Sequence, residues 1–171
     1  MPLFYVAGAS GAGKSTVCAE LARRGHPSYD VDADGLAVWL DRAGNVVPMP
    51  DARDDAWFAN HTYTLPPAIV RRLAAEVGEA VGFVCGTVGN EGEIWDLFAH
   101  VISLSVDAET VRRRLAQRPD GFGSTAEELQ RILTWHATID ADNARFGATL
   151  VDAGRPLVAV VDEVLEVASE A

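Results

Sequence analysis

Positive charge is scarce in this chain. Its 171 residues include 14 Lys and Arg against 25 Asp and Glu, a formal net charge of -11, and the isoelectric point is near 4.6. Binding along a nucleic-acid backbone draws on clustered cations, so this balance excludes nucleic acid as the main partner. Cysteine is rare as well. Cys18 and Cys85 have neither a C-x-x-C partner nor a histidine at metal-ligand spacing, which leaves them as reduced core thiols. No apolar stretch reaches the roughly 20 residues that span a bilayer, and Met1-Pro2-Leu3 runs straight into an apolar strand with no secretory leader. These absences point to a soluble cytoplasmic protein, a monomer or homodimer, that uses no membrane. Lysine is scarcest of all: Lys14 is the single one in the chain.

That lysine stands in Gly8-Ala9-Ser10-Gly11-Ala12-Gly13-Lys14-Ser15, a complete G-x-x-x-x-G-K-S sequence. The apolar run Leu3 to Ala7 before it reads as a buried strand. Thr16 to Arg24 after it carries Val17 and Leu21 at helical spacing, so the loop joins the two elements that its chemistry needs. Glycines let the backbone curl round an anion, and successive N–H groups together with the positive helix end converge on a phosphate. Lys14 then reaches the β- and γ-oxygens of a nucleoside triphosphate, and the Ser15 hydroxyl joins the shell of a Mg²⁺ ion.

At 49% hydrophobic, a chain of this length builds one α/β domain with a sizeable core. Strands and helices alternate throughout, which predicts a mostly parallel sheet covered on both faces. Strands are expected over 3–7, 28–31, 81–86, 101–106 and 148–151. Helices are expected over 16–24, 68–77, 91–98, 108–117 and 157–168, with Asp107 as the N-cap of the fourth. Ser124-Thr125-Ala126-Glu127 reads as a capping box that opens a helix to about Phe146. Residues 32–67 form an irregular acidic insertion with a short helix at 36–40 and a turn at Ala43-Gly44-Asn45, and residues 112–125 form a separate segment broken by Pro119-Asp120-Gly121-Phe122-Gly123.

In an open parallel sheet the carboxyl ends of neighbouring strands face one crevice. Strand two ends in Tyr29-Asp30-Val31-Asp32-Ala33-Asp34, and residues two apart at a strand end point the same way. Asp32 and Asp34 can therefore share one site, one holding Mg²⁺ through water and the other accepting a proton from a substrate hydroxyl. The third strand, which runs into Gly86-Thr87-Val88-Gly89-Asn90, lacks a terminal carboxylate to anchor a metal, and its glycines permit close approach of a ligand. Arg114 and Arg118 share a helix face within a run of arginines, where they either close over a γ-phosphate or simply complement the helix dipole. Arg155 follows the last strand in Asp152-Ala153-Gly154-Arg155-Pro156, either flat against a purine or in a surface turn.

Taken together, the N-terminal phosphate loop, Asp-x-Asp after strand two, the arginines before a loop and the closing Val-Asp-Ala-Gly-Arg-Pro-Leu segment resemble the small P-loop kinases related to adenylate kinase and shikimate kinase. The likeness spans nearly the whole chain. It implies an α/β three-layer fold with a five-stranded parallel sheet, a lid over 112–125 and an acceptor-binding insertion over 32–67. It implies that Gly11, Ala12, Gly13, Lys14, Ser15 and Thr16 grip ATP and Mg²⁺, that Asp32 and Asp34 serve metal and acceptor, that Arg114 and Arg118 close the lid, and that Arg155 flanks adenine. The chain departs from the shikimate kinase pattern at Cys85-Gly86-Thr87-Val88-Gly89, which replaces a tighter glycine run.

The expected activity is ATP-dependent phosphoryl transfer to a hydroxyl. Between residues 30 and 67, Arg42 and Arg53 face seven aspartates, at 30, 32, 34, 41, 51, 54 and 55. That field repels a dianion and tolerates a neutral or cationic metabolite or nucleoside. Trp39, Trp57, Phe58, His61 and Tyr63 either stack on a substrate ring or form the small core of the insertion. Arg71 and Arg72 keep a nucleoside monophosphate in play as acceptor, if they reach inward. A nucleotide-binding regulatory protein without an acceptor, or a hydrolase that uses water, are the readings from other classes.

Overall fold

Leu3–Gly8 is six consecutive buried residues, and as β1 it forms the middle of the sheet. The computed structural model describes residues 3–51, 53–117, 123 and 125–171. After β1 come α1 (Lys14–Arg23), β2 (Ser28–Asp30), β3 (Val38–Asp41), β4 (Val46–Val47), α2 (Asp55–Asn60), β5 (His61–Thr64) and α3 (Pro67–Val77). Then follow β6 (Gly82–Cys85), α4 (Glu91–Ile94) with a 3₁₀ turn at Trp95–Leu97, β7 (His100–Ser105), α5 (Ala108–Ala116), α6 (Ala126–Arg145), β8 (Thr149–Asp152) and α7 (Leu157–Glu170). The main sheet has five parallel strands in the order β2-β6-β1-β7-β8. Its carboxyl ends all open on one edge.

Side chains alternate across a strand, and β1 shows what that does to the core. Phe4 and Val6 pack with Val17, Leu21, Val111, Leu115, Val160 and Val164 on one face, whereas Leu3, Tyr5 and Ala7 pack with Val70, Leu73, Val77 and Ile94 on the other. Helices from both sides seal the sheet, so its strands read as apolar runs rather than as alternation. Cys18 and Cys85 are buried free thiols, and the Cys85 thiol is pushed up by its hydrogen bond with Cys18 and by burial. Asp107 caps α5 through the Thr110 N–H at 2.7 Å. For α6 the cap is Thr125, which accepts from the Glu128 N–H at 3.2 Å, one residue later than the expected box; Ser124 lies outside the described residues.

The insertion corrects one expectation. Residues 36–40 do not form a helix: Val38–Asp41 is a strand, the centre of a second, antiparallel sheet in the order β4-β3-β5. Five residues cannot separate the two periods, and Val38 and Trp39 find cross-strand partners in Thr64 and Tyr63 that only the tertiary pairing supplies. The turn at 43–45 is as expected. Gly44 takes a φ of +83°, and the Asp41 carboxylate accepts from the Ala43 and Asn45 amides.

Candidate active site

The phosphate loop leaves β1 at Gly8 and enters α1 at Lys14. Gly8 has a φ of +139°, and a Cβ there would stand 2.7 Å from the Leu104 carbonyl oxygen; Gly13, at φ +104°, is the N-cap residue of α1. Both positions need glycine, because an L side chain would be strained at either and at Gly8 would strike β7. The Lys14 ammonium donates to the carbonyls of Gly8 and Ala9 at 2.8 and 2.9 Å. Thr87, just past the end of β6, donates to the same Gly8 carbonyl at 2.6 Å. The loop is thus braced from its own helix and from the end of β6. Ala12 is buried and Gly11 packs against Leu115, while Ser15 and Thr16 are exposed in the first turn of α1.

Beside the loop lies a cleft of about 1900 Å³ that reaches from Ser10 and Lys14 to the aromatic side chains of the insertion and to α6. That exceeds the few hundred to a thousand Å³ of an ordinary small-molecule site, enough for phosphates and a second molecule together. Asp32 lines it, and its Oδ1 accepts from the Tyr63 hydroxyl at 2.8 Å. Desolvation and this bond push the Tyr63 phenol up. Asp34 behaves differently. Strand β2 stops at Asp30 and residues 31–35 form a turn, so strand alternation no longer governs which way the side chains point. Asp34 Oδ2 accepts from the Asp30 N–H at 2.8 Å, Asp30 Oδ1 accepts from the Asp32 and Ala33 amides, and neither Asp30 nor Asp34 lines the cleft.

Arg114 is drawn to the back of the loop. Its guanidinium donates to the carbonyls of Gly11 and Ala12 at 3.2 and 2.9 Å and to that of Ala153 at 2.8 Å, tying the loop to the turn after β8. Arg118 lies outside the described residues. Arg155 is exposed, donates to the Asp152 carbonyl and pairs with Glu163 on α7. Among the described residues no three His, Cys, Asp or Glu side chains cluster as a ready metal site.

Glu91 and Glu128 of the cleft were not read from the sequence. Glu91 opens α4 and lines the wall shared with Lys14 and Thr87; burial pushes its carboxyl up to about 7, against the opposing pull of a Val88 backbone hydrogen bond, the Tyr5 hydroxyl and Lys14. Its place directly after the β6 loop, at the sheet's ligand edge, was the available signal. Arg53 and Glu128 join the insertion to α6 at 2.8 Å, and the other Glu128 oxygen accepts from the Gly123 N–H. Arg131 pairs with Asp55 and lies over the Phe58 ring at 4.3 Å. The aromatic stretch is chiefly the insertion's own core, since Trp39 contacts Trp57, Phe58 and Tyr63 and Trp57 stacks on His61. Trp39, Phe58, His61 and Tyr63 also border the cleft.

Sheet order, phosphate loop and flanking helices together define an α/β P-loop nucleotide-binding fold of the small-kinase type. The family model described as AAA domain matches residues 5–133, and the chain belongs to that family. It is similar to the structure of shikimate kinase from Acinetobacter baumannii in complex with shikimate (TM-score 0.63, 15% identity, covering 98% of this chain and 92% of that one). A gluconokinase from Sinorhizobium meliloti 1021 gives a TM-score of 0.57 at 23% identity over 98% and 91% of the two chains. Deoxyadenosine kinase from M. mycoides with bound dATP gives 0.52 at 13% identity over 96% and 97%. At these identities the likeness is one of fold. No curated protein matches the chain. No helix among the described residues is long and apolar enough to cross a membrane.

Proposed function

We propose that the protein is an ATP-dependent small-molecule kinase that transfers the γ-phosphoryl group to a hydroxyl of a neutral or cationic metabolite or nucleoside. The observation that carries this reading is that one cleft is lined by both Lys14 of the phosphate loop and the Asp32 carboxylate. The acceptor oxygen forms a bond to the γ-phosphorus as the bond to the β–γ bridging oxygen breaks; the bridging electron pair leaves with ADP and the hydroxyl proton passes to Asp32. For this Lys14 releases the Gly8 and Ala9 carbonyls and turns its ammonium to the phosphate oxygens, while loop amides from Gly11 to Thr16 hold the β-phosphate. Arg114 holds the loop in shape through its carbonyls and, with Arg118, belongs to the lid of this reading. Arg155 flanks the base once it leaves Glu163.

The donor set at the site suits Mg²⁺, a hard ion that binds through one or two protein oxygens plus phosphates and water. Ser15 would hold it directly and Asp32 through water, which leaves the carboxylate able to take the proton; when bound the ion neutralises charge on the β- and γ-oxygens.

A nucleoside monophosphate acceptor needs arginines to clamp its phosphate. Arg71 and Arg72 are exposed on α3, Arg72 pairs with Glu76, and neither lines the cleft. Among the described residues Arg53 is the single arginine of the lining, and it is engaged by Glu128. Uncharged and cationic acceptors are therefore favoured. Incubation with γ-labelled ATP and a metabolite library tests the reading: one compound gains label, and Lys14→Ala abolishes the transfer with its thermal melt preserved. Transfer that survives Lys14→Ala refutes the mechanism, and nucleotide binding with no transfer to any acceptor moves the protein to the regulatory class.

A further inference from the structure

One polar group on the cleft wall has no task in the scheme above. Glu91 follows the loop that leaves the carboxyl end of β6 and faces the cleft with Lys14, Asp32 and Thr87. An ionised carboxylate offers about four acceptor sites. The Tyr5 phenol, itself fully buried in β1, reaches one oxygen at a long 3.4 Å, and a backbone hydrogen bond comes from Val88. Acceptor capacity remains on a carboxylate largely withdrawn from water, which is costly unless a ligand completes the set. An apolar residue at this position would avoid that cost.

The neighbouring donors hydrogen-bond to other groups, although the Lys14 charge also pulls on Glu91. Lys14 and Thr87 serve the Gly8 carbonyl, and the Tyr63 hydroxyl serves Asp32. Once Lys14 turns to a nucleotide's phosphates, Glu91 and Asp32 are two carboxylates that line the acceptor's cleft. A molecule with a hydrogen-bond donor beside its reacting hydroxyl would satisfy both, one group on each acid. An anionic group in the same place would meet two like charges, which disfavours it.

Building on the kinase reading, we infer that Glu91 is the specificity-determining residue of the acceptor site: it accepts a hydrogen bond from a second hydroxyl or an ammonium group next to the phosphorylated hydroxyl, and it excludes acceptors carrying a carboxylate or phosphate there. The acceptor class is thus a diol or an amino alcohol, free or as part of a nucleoside or uncharged sugar.

The test uses the full chain with MgATP and a panel of uncharged polyols, nucleosides and amino alcohols, each beside its carboxylated or phosphorylated counterpart. ADP release and product mass are the readouts. The expected result is phosphorylation of an uncharged or cationic member. Glu91→Leu raises the KM for that compound at least tenfold and Glu91→Gln several-fold, with the KM for ATP unchanged, and Glu91→Gln gains turnover of the anionic counterpart. Glu91→Gln retains the shape of the side chain and decides the matter if Glu91→Leu fails to fold. Wild-type transfer with the acceptor KM within twofold in Glu91→Gln, or wild-type preference for an anionic acceptor, overturns the role of Glu91 and leaves the kinase reading standing. Transfer to no member, with MgATP bound, removes the kinase reading and this inference with it.

Discussion

Replacing Glu91 by Gln is expected to make the protein more stable at pH 8 and to leave it nearly unchanged at pH 4.5. Burial raises the Glu91 carboxyl from the ordinary 4.5 to about 7. Below pH 4.5 the acid is protonated in folded and unfolded chains alike, and its contribution is at its most favourable. Between 4.5 and 7 the unfolded chain ionises while the folded one keeps its proton, so stability falls as pH rises; above 7 both are ionised and the loss is complete. Moving the titration midpoint by this amount corresponds to about 3 kcal/mol, and water in the open cleft lowers the expected difference to about 2 kcal/mol. The groups that face Glu91 are the Tyr5 hydroxyl from β1 and Lys14 from α1, with Asp32 beyond Tyr5. Glutamine stays neutral throughout and keeps the reach to Tyr5. Urea denaturation followed by tryptophan fluorescence, with wild type and variant at pH 4.5 and pH 8, measures the difference; at an m-value of about 2 kcal/mol/M the variant's midpoint at pH 8 lies roughly 1 M higher. Other carboxylates titrate equally in both proteins and cancel. A gap between the two proteins that is the same at both pH values, or a variant less stable at pH 8, refutes the reasoning that burial holds this acid up.

Three further outcomes are expected. Gly86→Ala places a Cβ 2.5 Å from Cγ2 and 2.6 Å from Cβ of buried, β-branched Val31, the residue before Asp32, and costs about 1–3 kcal/mol in urea denaturation; wild-type stability would contradict the overpacking. Asp32→Asn lowers kcat for the accepted compound by about 10²–10⁴-fold as expected for a lost general base, while Asp34→Asn, altering a carboxylate bonded to its own strand backbone, leaves kcat largely intact; equal losses would show that both acids act in the chemistry. Glu128→Gln weakens the ties to Arg53 and to the Gly123 amide, so amide exchange over residues 55–60 accelerates and stability falls by about 1–3 kcal/mol; unchanged exchange there would show that the insertion is held by its aromatic core alone.

Local chemistry settled a large part of this molecule before any contact was considered. The G-x-x-x-x-G-K-S spacing, the buried runs at 3–7 and 81–86, and the helical periods of 68–77 and 157–168 are statements about residues close in the chain, and all of them survive in β1, the phosphate loop, β6, α3 and α7. Their order was enough to predict a mostly parallel sheet, because a strand, a crossover helix and a parallel strand have one favoured hand and one way to cover both faces. The insertion was not legible: Val38 to Leu40 becomes a strand through Tyr63, Thr62 and Thr64, some 25 residues on, a pairing that no local period contains. The cleft was legible in half. Lys14 and Asp32 line one cleft because strands β1 and β2 end on the same edge, whereas Asp34 turns to its own backbone, Arg114 to the loop carbonyls and Glu91 into the cleft lining. Those directions depend on the partner that each side chain finds across the sheet, and only the packed chain supplies the partners.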